Sequence, residues 1–172
     1  IISIDYISDD NILLLLSDGK IYKGDSTKGS CIEIHDECRS VSYNQLDNTI
    51  LAMYGDPKVP DGGSLHILEY ESSSLLHQFK EKDKGQKTSE TTTYNYAIYS
   101  HDGKYIFTSR FYLNKSYKVE IWNVNSSDNG GTKQFNPPTL KSVVCQGKVE
   151  ESKLVNKIVA SPDNKFLAIE FL

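Results

Sequence analysis

Ser100-His101-Asp102-Gly103-Lys104-Tyr105-Ile106-Phe107 and Ser161-Pro162-Asp163-Asn164-Lys165-Phe166-Leu167-Ala168 share one pattern, a turn built on Asp followed by an apolar run. Two further copies lie upstream, Leu46-Asp47-Asn48 before residues 50–54 and Asp9-Asp10-Asn11 before residues 12–16. A turn that recurs in this way marks a repeat, and a repeat decides the fold before any single residue does. Ahead of each turn stands a candidate strand: Ile2-Ser3-Ile4-Asp5-Tyr6, Ser40-Val41-Ser42-Tyr43, Asn95-Tyr96-Ala97-Ile98-Tyr99 and Asn156-Lys157-Ile158-Val159-Ala160. The first two alternate with the period of two that belongs to strands, and the others hold β-branched or aromatic residues at comparable places.

The run after each turn is apolar on both faces, most plainly Ile12-Leu13-Leu14-Leu15-Leu16, as expected of a central strand buried between two layers. A third strand follows at Lys20-Ile21-Tyr22-Lys23, at residues 64–70 and at residues 117–124. The first of these is joined by the tight link Ser17-Asp18-Gly19. A weaker fourth is drawn at Cys31-Ile32-Glu33-Ile34-His35 and Leu75-Leu76-His77-Gln78-Phe79, and is barely suggested at residues 133–135. Four strands per unit is the pattern of a propeller blade. The fold class is therefore all-β, a β-propeller segment of four-stranded antiparallel blades in an incomplete ring. The blades are placed at about 1–36, 39–80 and 94–136, with the start of a fourth at about 154–172.

Two polar stretches lengthen the later units, residues 80–93 and 125–152. Their Lys/Glu-rich and Ser/Asn/Gly-rich composition buries little apolar surface, so both are expected to be surface loops, with a partner-binding arm as the other reading.

The segment Val119-Glu120-Ile121-Trp122-Asn123-Val124, with Ser100 to Ser109 before it, resembles a WD40 repeat, and residues 160–168 are similar to the same family's Ser-Pro-Asp-Gly turn and second strand. Trp122 matches the family's Trp, Asn123 stands where Asp is usual, and the Gly-His dipeptide is missing. The resemblance implies a divergent propeller without the family's usual His and Asp hydrogen-bond network. A closed propeller takes roughly four to eight blades, so the missing ones are expected elsewhere in a longer polypeptide or from another chain. The absence of an initiator Met and the ending within an apolar run point the same way.

Of the 172 residues, 38% are apolar and 24% charged, ordinary values for one globular domain. A net charge of −4 argues against a dominant nucleic-acid surface. Three cysteines, Cys31, Cys38 and Cys145, do not make a disulfide framework and suggest an intracellular location, cytoplasm or nucleus. No apolar stretch is long enough for a membrane helix. Asn114-Lys115-Ser116 and Asn125-Ser126-Ser127 fit the glycosylation acceptor pattern and are read as chance matches.

Nothing catalytic is legible. Cys31, His35 and Cys38 supply three ligand types at a spacing that fits no standard zinc pattern, and Asp5, Asp9 and Asp10 lack the ligand order of a calcium loop and read as a solvated turn. No metal or cofactor is expected. Tyr43, Tyr96, Tyr105, Phe107 and Phe166 are expected to pack between blades. Lys58, Arg110, Tyr112, Lys115 and Tyr117 fall in or beside links between second and third strands and form a candidate partner-binding patch, with ordinary surface as the alternative. The strand carrying Phe166, Leu167, Ile169 and Phe171 is expected to be an open docking edge. The reading favoured by the residues is a non-enzymatic scaffold for other proteins. The alternatives are a propeller domain of a larger enzyme, such as a peptidase of the prolyl oligopeptidase type, and a peptide-reader module.

Overall fold

In the computed structural model, the described residues are 3–8, 10–25, 27–35, 37–55, 63–79, 92–112, 116–129, 132–148 and 155–171. They form fourteen strands and, among them, no helix. β1 (Ser3–Tyr6), β2 (Asn11–Leu15), β3 (Ile21–Asp25) and β4 (Ser30–His35) make the first sheet in chain order. β5 (Cys38–Asn44), β6 (Thr49–Tyr54), β7 (Ser64–Glu69) and β8 (Leu75–Phe79) make the second, and β9 (Thr92–Tyr99), β10 (Tyr105–Tyr112), β11 (Ser116–Asn129) and β12 (Thr132–Lys148) the third. β13 (Val155–Ala160) and β14 (Leu167–Phe171) pair as a fourth, two-stranded sheet. All pairings are antiparallel meanders.

The alternation of side chains along each strand builds three cores between successive sheets. On β6 every residue is buried: Ile50, Ala52 and Tyr54 face the first sheet's Leu13, Leu15 and Ile21, while Leu51 and Met53 face the third sheet's Tyr94, Ala97 and Ile106. The third core joins Phe107 and Val119 to Val155 and Ile158 of the fourth sheet. Each fully buried Leu or Ile in these layers contributes about 1.5–3 kcal/mol. Tyr43, Tyr96, Tyr105 and Phe107 take the packing positions read from the sequence. Phe166 does not: it precedes β14 and is 72% exposed, because among the described residues no sheet covers that face.

The third and fourth copies of the recurring turn have one geometry. In the third copy the Ser100 hydroxyl donates to Asp102 Oδ1 at 2.7 Å, and Asp102 Oδ1 accepts the Lys104 N–H at 3.2 Å. In the fourth copy the Ser161 hydroxyl donates to Asp163 Oδ1 at 2.6 Å, which accepts the Lys165 N–H at 3.2 Å. Ser100 Oγ and Ser161 Oγ in turn accept the N–H of Tyr105 and Phe166, each at 3.0 Å. The residue after each turn Asp is left-handed: φ is 56° at Asn48, 67° at Gly103 and 56° at Asn164. That requirement is why the sequence alternates Asn and Gly there. The first copy has no such residue among those described.

Within the stretch 125–152, expected as a loop, residues 125–129 and 132–148 are instead the far part of a long hairpin, and the others lie outside the described residues. β11 and β12 pair from Ser116↔Lys148 to Asn129↔Thr132 through three register shifts, so the third sheet runs past the boundary near 136. Pairing satisfies the backbone whatever the side chains are, and β12 lies at the outer edge, where Pro137 and Pro138 fall at the register shift between Asn123 and Asn125. The stretch 80–93 lies outside the described residues except for Thr92 and Thr93.

Gly103 is the tightest point of the repeat. A Cβ there would stand 2.1 Å from Asn44 Oδ1, and Asn44 cannot swing away because it donates to the Gly103 carbonyl at 3.0 Å and accepts from the Leu46 N–H at 3.0 Å. Gly103→Ala should therefore cost about 3 kcal/mol in urea unfolding. Gly29→Ala, at φ 60° with nothing within 4 Å, should cost about 1 kcal/mol.

Candidate functional site

The first strand of each sheet lies at a common hub, where β5 and β9 are the inner edges of their sheets. An edge strand carries N–H and C=O groups that its own sheet cannot pair. Here a neighbouring sheet meets them with side chains. Asp5 Oδ2 on β1 accepts the Tyr43 N–H of β5 at 3.2 Å, and Ser42 Oγ on β5 accepts the Tyr99 N–H of β9 at 3.3 Å. Asn95 Nδ2 on β9 donates to the Val155 carbonyl of β13 at 2.7 Å and is itself held by the Ser109 hydroxyl at 2.7 Å. Tyr99 and Thr49 share a buried hydroxyl contact of 3.0 Å across the second and third sheets.

These inner strands line an open-sided cavity of about 900 Å3, bordered by Asp5, Tyr43, Tyr96, Ile98, Lys157 and Val159 with the turn residues Asn44 and His101 to Gly103. Burial pushes the Asp5 carboxyl above its ordinary value of 3.8, against the lowering effect of the Tyr43 N–H. Among the described residues Asp5 forms no ion pair. Its reading as part of a solvated acidic turn is thus corrected: alternation along β1 turns it inward, while Asp10 is exposed and Asp9 lies outside the described residues.

Arg110 and Tyr112 are not rim residues. They are 6% and 7% exposed, since β10 extends to Tyr112 and places both at positions of the same parity as the buried Ile106 and Thr108. Arg110 Nε donates to Glu120 Oε2 at 2.8 Å, and its Nη2 donates to Glu120 Oε1. Thr108 donates to the same carboxylate at 3.4 Å and accepts from Trp122 Nε1 at 3.0 Å. The rings of Tyr94, Tyr112 and Trp122 stand 5.6–6.0 Å from the guanidinium. Burial opposes the Arg110 charge, and the bond to Glu120 overrides it and holds the pKa above the ordinary arginine range. The group is a closed internal network.

Tyr117 packs edge-on against Phe171 at 5.2 Å, joining the third and fourth sheets, so it too serves packing. Lys58 and Lys115 lie outside the described residues. On β14, Leu167 and Ile169 pack into the third core while Phe171 stays partly exposed. Cys31 is exposed and Cys38 buried, its thiol directed to the Ser40 and Met53 carbonyls at 3.0 and 3.3 Å. Among the described residues no three His, Cys, Asp or Glu side chains are grouped to hold a metal. No helix there is long and apolar enough to cross a membrane. The Arg110–Glu120 pair was readable in principle, as opposite charges one diagonal step apart on adjoining strands.

Stacked four-stranded meanders around a hub define a β-propeller segment, and solved structures share that arrangement. The chain is similar to the tricorn protease, with TM-score 0.57, 14% identity and coverage of 97% of this chain and 13% of that one. It is also similar to a dihydro-heme d1 dehydrogenase, with TM-score 0.63, 11% identity and coverage of 99% of this chain and 32% of that one. At these identities the likeness shows the fold. The chain spans about a third or less of the length of these two structures. Comparison of the sequence with family models and with curated proteins finds no match.

Two outcomes follow from the geometry. Arg110→Leu should cost about 3–5 kcal/mol by stranding the Glu120 charge, and adding Glu120→Leu should recover most of that in urea unfolding. A raised carboxyl binds its proton more readily in the folded state, so its contribution is full below pH 3.8 and is lost as pH rises through the folded pKa. Asp5→Asn keeps the acceptor for Tyr43 and removes the charge. It should unfold at a higher urea concentration than the parent at pH 7, with the difference gone near pH ~3.

Proposed function

We propose that the chain is part of a β-propeller domain that frames and guards the active site of a larger hydrolytic enzyme and contributes no catalytic group itself. The observation that carries this reading is the hub: four sheets stacked around a cavity of mixed polar and apolar lining, in an arrangement shared with one part of a much longer protease. The buried side-chain bonds between sheets support a rigid frame, and the burial of the Arg110–Glu120 pair supports a structural use of those two charges. Trp122, bonded to Thr108 inside the third sheet, supports a WD40-like ancestry for the blades.

A scaffold for other proteins is the second reading, favoured by Phe166 and Phe171 on the open side of the fourth sheet. Remaining blades of the same protein would cover that side equally well. Labelling the full-length protein with a fluorophosphonate and mapping the adduct by mass spectrometry separates the readings. The proposal expects one modified serine outside residues 1–172. A protein that stays unlabelled and is recovered with a stoichiometric partner protein contradicts it and supports the scaffold.

A further inference from the structure

We propose that the hub cavity receives a basic side chain, lysine or arginine, of an extended peptide, with Asp5 as its counter-ion and Tyr43 and Tyr96 as its aromatic walls. The assignment rests on the reading of this domain as the guard of a hydrolase, for which it names the substrate class.

The cavity, at about 900 Å3, has the size of a ligand site. Asp5 is its distinctive group. Among the described residues only Oδ2 is engaged, by the one N–H of Tyr43 at 3.2 Å, which is long for a bond to a charged acceptor. The fold retains this half-buried carboxylate although an amide would satisfy the same N–H without a charge to desolvate. A charge kept at a cost in stability, lining a cavity and without an opposite charge among the described residues, is placed for an external cation.

The walls suit the same guest. The Tyr43 hydroxyl is committed to Asn48 Oδ1 at 2.8 Å, and the Tyr96 hydroxyl to the backbone of Ile158. With their hydroxyls taken, what these tyrosines have left to offer a guest is their ring surface, which attracts cations and covers a methylene stem. Of the other charges lining the cavity, Asp102 is tied into its own turn by Ser100 and Lys104, and Lys157, exposed on β13, forms no ion pair with Asp5 among the described residues.

The test is calorimetric titration of the full-length protein at pH 7 with acetyl-Ala-Lys-Ala-amide, the same peptide with norleucine or glutamate in place of lysine, and n-butylamine. Lysine should bind roughly tenfold tighter than norleucine, with glutamate weaker still. Asp5→Asn should remove the lysine preference. Equal binding of lysine and norleucine overturns the proposal, and so does an unchanged preference in the variant. Binding of n-butylamine as tight as that of the peptide overturns the peptide assignment in favour of a small-amine site. The lysine and norleucine comparison uses the unaltered protein, so it stands whether or not the variant folds. A lysine preference without a labelled serine keeps the cavity assignment and removes the hydrolase reading; a labelled serine without the preference does the reverse.

Discussion

The inner edge of each sheet sets the terms for the rest of this structure. β5 and β9 end their sheets, yet they lie at a hub where further ladder pairing would fuse the sheets into one surface. Buried backbone groups still need partners. Asp5, Ser42 and Asn95 supply them from the preceding sheet, each with a single bond to the next first strand. A side-chain bond fixes the distance between two strands without forcing them into one plane. The faces of the sheets are then free to stack, and the three apolar cores form between them.

From that constraint the character of the other residues follows. A sheet packed on both faces needs a central strand with no polar side, which β6 supplies with six buried residues in succession. The turns leading into these central strands must dock on the neighbouring blade, and Gly103 does so against Asn44 at a distance no side chain permits. Charged groups that enter the interfaces meet either an opposite charge, as Arg110 does in Glu120 inside a shell of Tyr94, Tyr112 and Trp122, or backbone carbonyls of the next sheet, as Lys23 does on Tyr70 and Glu71. Asp5 meets a single backbone N–H and, among the described residues, no ion pair.

Much of this architecture is legible in the sequence, for definable reasons. The Asp turn and the two-faced apolar run are local signals, and both are imposed by backbone geometry and burial that repeat from blade to blade. The far half of the β11–β12 hairpin is not legible, because polar composition reports the lack of a core and says nothing of backbone pairing. Closeness to the link after β10 places Arg110 and Tyr112 on a rim in a reading along the chain; the pairing of Arg110 with Glu120 on β11, a contact across strands, is what buries them. Nearness in sequence groups Asp5 with Asp9 and Asp10, whereas its neighbour in space is Tyr43, from the next blade. Sites assembled across blades depend on contacts that a reading along the chain does not reach.

The central claim is that side chains of one blade close the inner edge of the next. Amide hydrogen exchange on the full-length protein tests it residue by residue, because the Tyr43 and Tyr99 N–H groups point away from their own ladders. The account predicts that both amides exchange as slowly as the ladder amides of β6. Exchange of Tyr43 and Tyr99 at the rate of an open strand edge, with β6 still protected, would contradict it.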